Sequence, residues 1–185
     1  MKKSLFLIAT LIVAAFVTVS CNKDNPSGPS RGAKTYSYRV EASVELGGSV
    51  RDMFELTGSD FACGSEKCDL EKYLANSDKY SFSNTGSTPC ETHLKFTLTP
   101  KSGFVPEAGK YDVLVKIVYN VYAIDNETGE ASALAKKTGG INAQGTDFAE
   151  AKSKRGLEVI DVLNTFKRQC DFDESYTVTK DGDVK

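Results

Sequence analysis

Between Thr35 and Leu46 every second residue is apolar: Tyr36, Tyr38, Val40, Ala42, Val44 and Leu46 alternate with Thr35, Ser37, Arg39, Glu41, Ser43 and Glu45. Side chains of an extended chain point to opposite faces in turn, whereas a helix would scatter these residues around its axis. The stretch therefore reads as a strand with one buried face and one wet face. Gly47-Gly48-Ser49 follows, then Val50 to Leu56 with Val50, Phe54 and Leu56 on a common face, which suggests a hairpin in which Val50–Leu56 is the returning strand.

Cys90 to Leu98 repeats the alternation, with Cys90, Thr92, Leu94, Phe96 and Leu98 opposed to Glu91, His93, Lys95 and Thr97. The segment from Tyr111 to Ile124 differs. It carries Val113, Val115, Ile117, Tyr119 and Val121 on one face and Leu114, Val118, Tyr122 and Ile124 on the other. Apolar residues on both faces predict a central strand covered on each side. Asp125 to Glu130 reads as a turn, Ala131 to Lys137 as the returning strand, and Ser175 to Val178 as a final edge strand.

Two stretches have helical spacing. Leu70, Tyr73 and Leu74 within Glu66–Asn76 predict a short helix. From Asp147, with Glu150 three residues on as in a capping box, the residues Phe148, Ala151, Val159, Val162, Leu163 and Phe166 share one face of a longer helix. Gly156 interrupts that pattern and Leu157 points away from it. The competing reading ends the helix at Gly156 and makes Leu157 to Leu163 a strand. The expected fold is mainly β: an antiparallel, Ig-like β-sandwich with one short and one longer helix. The alternative is α+β, a single antiparallel sheet packed on the Asp147 helix. The chain has no tryptophan and so lacks the Cys-Trp-Cys signature of antibody domains.

The N-terminus carries a different kind of information. Lys2 and Lys3 precede an apolar run from Leu5 to Val17, and Thr18-Val19-Ser20 lead to Cys21. A positive start, an apolar stretch too short to span a bilayer and small residues before a cleavage point make residues 1–20 a secretory signal peptide. With a cysteine at the cut, this leader resembles those of bacterial lipoprotein precursors. The family places Leu, Val or Ile three residues before the cysteine, where this chain has Thr18. An ordinary secretory signal cut after Ser20 is the competing reading. The resemblance implies that Cys21 becomes the first mature residue and receives a diacylglycerol. Asn22-Lys23-Asp24 just after Cys21 is similar to the start of surface-export signals in Bacteroidota-type outer-membrane lipoproteins. Residues 21–33, rich in Pro, Gly and Ser, form a tether of about 19 Å if it behaves as a flexible coil. Residues 34–185 then make one β-rich globular domain.

Compartment and cysteine count support each other. With Cys21 assigned to lipid, Cys63, Cys68, Cys90 and Cys170 remain, an even set suited to two disulfides in an oxidising envelope. Three connectivities exist; Cys63 with Cys68 and Cys90 with Cys170 is the preferred one. A zinc site built on the same thiols has a less suitable compartment and lacks the Cys-x2-Cys spacing.

Removing residues 1–20 takes away Lys2 and Lys3, leaving 21 basic against 25 acidic residues, a formal charge of −4. No Lys/Arg cluster offers the concentrated positive surface that nucleic acid requires. His93 is the only histidine, on the wet face of its strand, and reads as a solvated surface residue. The acidic runs Asp125–Glu130 and Asp171–Glu174 do not match a calcium loop, and nothing singles out a carboxylate pair for glycoside hydrolysis. Tyr36, Tyr38 and Tyr119 are expected to fill the core, and Tyr122 to lie under a helix or at a partner groove.

No catalytic set, cofactor site or metal site is expected. The leading functional expectation is a non-enzymatic binding or accessory module, lipid-anchored in the cell envelope, at the outer membrane facing either periplasm or surface. Its partner would be a protein or glycan. Two alternatives stand beside it: an inhibitor or immunity-type lipoprotein probing a secreted enzyme or toxin with the Cys63–Cys68 loop, and a hydrolase of envelope or extracellular polymers.

Overall fold

The structure is a computed structural model that describes residues 34–185. The expected signal peptide, Cys21 and the tether lie outside the described residues. In chain order the elements are β1 (Tyr36–Gly48), α1 (Val50–Met53), β2 (Phe54–Leu56), β3 (Asp60–Cys63), β4 (Glu66–Asp69), α2 (Leu70–Leu74), β5 (Lys79–Ser87), β6 (Cys90–Phe96), β7 (Leu98–Pro100), β8 (Tyr111–Asp125), β9 (Ala131–Thr146), α3 (Phe148–Arg155), α4 (Val159–Cys170) and β10 (Phe172–Val178).

Two four-stranded antiparallel sheets form, one in the order β5-β1-β8-β9 and the other in the order β10-β6-β3-β4; β2 and β7 make a separate ribbon. The first sheet is long because the period of two holds over β1 and β8, which pair over 13 residues from Tyr36↔Asp125 to Gly48↔Val113. The inner residues of both sheets close into one core. Val40, Val44, Ile117, Tyr119 and Val121 of the first sheet meet Phe61, Leu94 and Phe96 of the second, each at 1% exposure or less. The Phe61 ring lies 4.6 Å from that of Phe82 and 5.7 Å from that of Tyr80, so aromatic contacts join β3 to β5 across the layers. Tyr38 has room over its cross-strand neighbour because that neighbour is Gly86, where a Cβ would come within 2.6 Å of the Tyr38 hydroxyl.

The sandwich with helices is the architecture found, and two facing sheets replace the single-sheet alternative. Among the described residues four helices stand where two were expected. Val50–Leu56 is not a hairpin strand: it divides into α1 and β2, and β2 pairs with β7. Val50, Met53 and Phe54 are all buried, and their i, i+3, i+4 spacing is that of one helical face. The Asp147 helix is not continuous either. Asp147 caps α3 through Oδ1, which accepts from the Glu150 N–H at 2.9 Å. Gly156 ends the helix in the left-handed region, with φ at 67°.

The Gly156 N–H bonds the Lys152 carbonyl at 2.9 Å, the bond of an αL helix stop, and the Leu157 N–H reaches the Ala151 carbonyl at 3.3 Å. The chain after Gly156 is not a strand. It restarts as α4, where the Asp161 carboxylate accepts from the Glu158 N–H at 3.0 Å and Val162, Leu163, Phe166 and Cys170 form the buried stripe.

The central strand also departs from expectation. The inner face of β8 is fully buried, but Leu114, Val118, Tyr122 and Ile124 on its outer face are half-buried. Tyr122 lies neither under a helix nor in a groove: the Arg39 guanidinium covers its ring at 4.3 Å, and Glu41 accepts from its hydroxyl at 3.5 Å. At Tyr122 neighbouring polar side chains thus stand where a third layer was expected.

Candidate functional site

Short strands of the second sheet carry a charged outer surface, because their inner positions are committed to the core. Cys90, Thr92, Leu94 and Phe96 of β6 point inward, which leaves Glu91, His93 and Lys95 outward. Register sets Ala62 of β3 and Ser175 of β10 on either side of His93, and Asp60 and Asp173 on either side of Lys95.

The imidazole of His93 spans the gap between the two flanking strands. Its Nε2 lies 3.0 Å from Asp173 Oδ1 and its Nδ1 lies 3.5 Å from Asp60 Oδ2. A neutral ring has one N–H, so only the doubly protonated ring donates toward both carboxylates. His93 is therefore more than a solvated surface residue. It ties three strands together by their outer faces.

Beside this trio lies an open hollow of about 410 Å³, lined among others by Gly64, Lys67, Glu91, His93, Ser175 and Lys185. Its rim is built by the Gly64 end of the β3–β4 hairpin on one side. Lys185 forms the other, where it exchanges backbone hydrogen bonds of 3.1 and 3.0 Å with Thr177. The hollow's lining carries ammonium groups of Lys67 and Lys185, the carboxylate of Glu91 and the hydroxyl of Ser175. Ser175 stands opposite His93, but both ring nitrogens already face carboxylates, so no free imidazole nitrogen is aimed at its hydroxyl. Asp60 and Asp173 approach opposite edges of the ring, an arrangement in which no one ion contacts all three. Among the described residues no group of three His, Cys, Asp or Glu side chains has a metal-holding arrangement.

The acidic turns are held by the chain itself. Asp125 accepts from Lys34 Nζ at 2.8 Å and from the N–H groups of Glu127 and Thr128, and these bonds keep its carboxyl below the ordinary value of 3.8. In the second acidic run Asp171 pairs with Lys167, Asp173 with His93 and Glu174 with Lys137.

Cys63, Cys68, Cys90 and Cys170 all stand as thiols. The structure does not bring together the pairs preferred from sequence, Cys63 with Cys68 and Cys90 with Cys170. It sets Cys63 and Cys90 in contact instead, Sγ to Sγ at 3.8 Å in the core. Cys68 sits beside Tyr80 and Cys170 closes α4 at 0% exposure. The Asp60–His93–Asp173 trio was not legible in the sequence. Asp60, His93 and Asp173 are 33 and 80 residues apart, and only strand register makes them neighbours.

Comparison with protein-family models, with curated proteins and with solved structures returns no match for this chain.

Proposed function

We propose that this protein is a lipid-anchored extracytoplasmic binding module whose outer surface around His93 receives a polar partner, a glycan or a polar protein segment. The leader ending at Cys21 supports the anchoring. The binding reading rests on the hollow beside His93. It is open and rich in both donors and acceptors, and its imidazole is held by Asp60 and Asp173 instead of being offered to a nucleophile. Such a surface orients hydrogen-bonding ligands, whereas a hydrolase built here would need a free ring nitrogen near Ser175.

The test is an NMR titration of the isotope-labelled mature chain, carrying Cys21→Ser, with envelope and extracellular glycans and with polar peptides. Binding shifts confined to Glu91, His93, Ser175 and Lys185, lost in His93→Ala with the fold intact, are the expected result. Shifts confined to another face, or an unchanged affinity in His93→Ala, would overturn the assignment of the surface. Anchoring is checked separately. Metabolic labelling with a palmitate analogue marks the wild type and leaves Cys21→Ala unlabelled.

A further inference from the structure

We infer that Cys63 and Cys90 form a disulfide that staples β3 to β6 beneath the hollow, and that Cys68 and Cys170 remain thiols. The two sulfurs touch at 3.8 Å, both side chains are buried, at 1% and 4% exposure, and both point to the same inner face of the second sheet. A disulfide needs about 2.05 Å between sulfurs, so small rotations of two side chains close the gap. Among the described residues no other pair of cysteine sulfurs is in contact. Among the described residues Cys170, fully buried at the end of α4, contacts no other cysteine sulfur, and Cys68 lies on β4 opposite Phe61.

The location explains the bond's use. β3 pairs with β6 over only four residues, Asp60 to Cys63, and the bond would pin the open end of that short ladder. Ala62 and Gly64 flank one cysteine and Glu91 and Thr92 follow the other; all four line the hollow. The staple therefore fixes the hollow's floor. This inference does not depend on what the hollow binds.

In the reaction the two thiols lose two protons and two electrons as the Sγ–Sγ bond forms. The oxidant is a disulfide, either of a dithiol oxidase or of oxidised glutathione. Its own S–S bond breaks and takes up those electrons and protons as two thiols, through a mixed disulfide with Cys63 or Cys90. Burial and the neighbouring Cys90 raise the pKa of the Cys63 thiol, so thiolate is scarce once the chain has folded. The bond therefore forms during folding, while the strands are still open to the oxidant.

The test uses the mature chain with Cys21→Ser, refolded from the denatured, reduced state in a glutathione redox buffer. Free thiols are alkylated under denaturing conditions and peptides are mapped without reduction. The expected map has one cross-link, Cys63 to Cys90, with Cys68 and Cys170 alkylated. Reduction should then lower the melting temperature by roughly 10 °C, the effect of opening a loop of this length in a domain of this size. The variant Cys68→Ala/Cys170→Ala should keep the same cross-link. A Cys63–Cys68 or Cys90–Cys170 bond, four alkylated cysteines, or two free thiols in the double variant would overturn the inference.

Discussion

The Tyr119 hydroxyl donates to Thr92 Oγ1 across 2.8 Å inside the core, and Thr92 donates in turn to the Ala62 carbonyl at 2.9 Å. This chain of bonds runs from β8 in one sheet through β6 to β3 in the other, between side chains that are 0% and 2% exposed. Its two ends are unequal. Tyr119→Phe removes one donor and leaves Thr92 bonded to Ala62, at a cost of about 1 kcal/mol. Thr92→Val leaves the Tyr119 hydroxyl buried without a partner and should cost about 2 kcal/mol or more. Urea unfolding of both variants measures the difference. Equal losses would mean that the hydroxyl finds another acceptor.

Gly156 separates two helices that the apolar pattern alone runs together. No atom lies within 4 Å of a Cβ built there, so Gly156→Ala meets no clash and tests backbone conformation alone. At φ of 67° an alanine should destabilise the domain by about 1 kcal/mol. In a continuous helix the same change would stabilise by roughly 0.5–1 kcal/mol. The sign of the shift in thermal midpoint therefore reports which structure is present.

The legible parts of the fold were those with a local cause. In β1, β6 and β8 the period of two marks which face is buried, because pleating alone decides it. The Asp147 cap is local too, and so was the stop at Gly156. A glycine followed by the apolar Leu157, after Lys152, Lys154 and Arg155 in the last turn, is a helix C-cap signature that the one-face pattern concealed. The pattern of Val50–Leu56 is ambiguous, because Val50, Phe54 and Leu56 fit a strand face while Val50, Met53 and Phe54 fit a helix; tertiary pairing with β7 makes only Phe54–Leu56 a strand. The site itself depends on register between β3, β6 and β10, which no local pattern specifies.

Burial of Cys170 makes alkaline pH destabilising. In the folded chain its thiol is pushed up to about 12, by burial first and by the nearby Asp171 second, from an ordinary value of 9.0. Between these values the unfolded chain releases a proton that the folded chain keeps. The contribution is therefore complete below about pH 9 and lost as pH rises toward 12. One such group changes stability by at most about 1.4 kcal/mol per pH unit. Urea midpoints at pH 8, 9 and 10 should fall for the wild type and fall less steeply for Cys170→Ala. Parallel slopes would place the titrating group elsewhere.

The two faces of β8 should respond differently to the same charge. Ile117 is 0% exposed between the sheets, and an aspartate there has no partner. Ile117→Asp should cost several kcal/mol, a large share of the 5–15 kcal/mol typical of a domain, roughly enough to unfold it. Val118 lies on the half-buried outer face, opposite the exposed Thr138 of β9, where water reaches the new carboxylate. Val118→Asp should therefore cost only about 1–2 kcal/mol. Asn142→Asp, exposed on β9 opposite Leu114 and nearly isosteric, is the neutral reference at about 0.5 kcal/mol or less. Lys95→Asp is unsuitable as that reference. The register sets Lys95 between Asp60 and Asp173, so a third carboxylate adds like-charge repulsion of about 1 kcal/mol. Thermal melts of the four variants should rank Asn142→Asp as the mildest, then Lys95→Asp and Val118→Asp, with Ile117→Asp far below. A Val118→Asp protein as unstable as Ile117→Asp would show that a further layer, supplied by another part of the chain or by a second molecule, covers the outer face of β8 in solution.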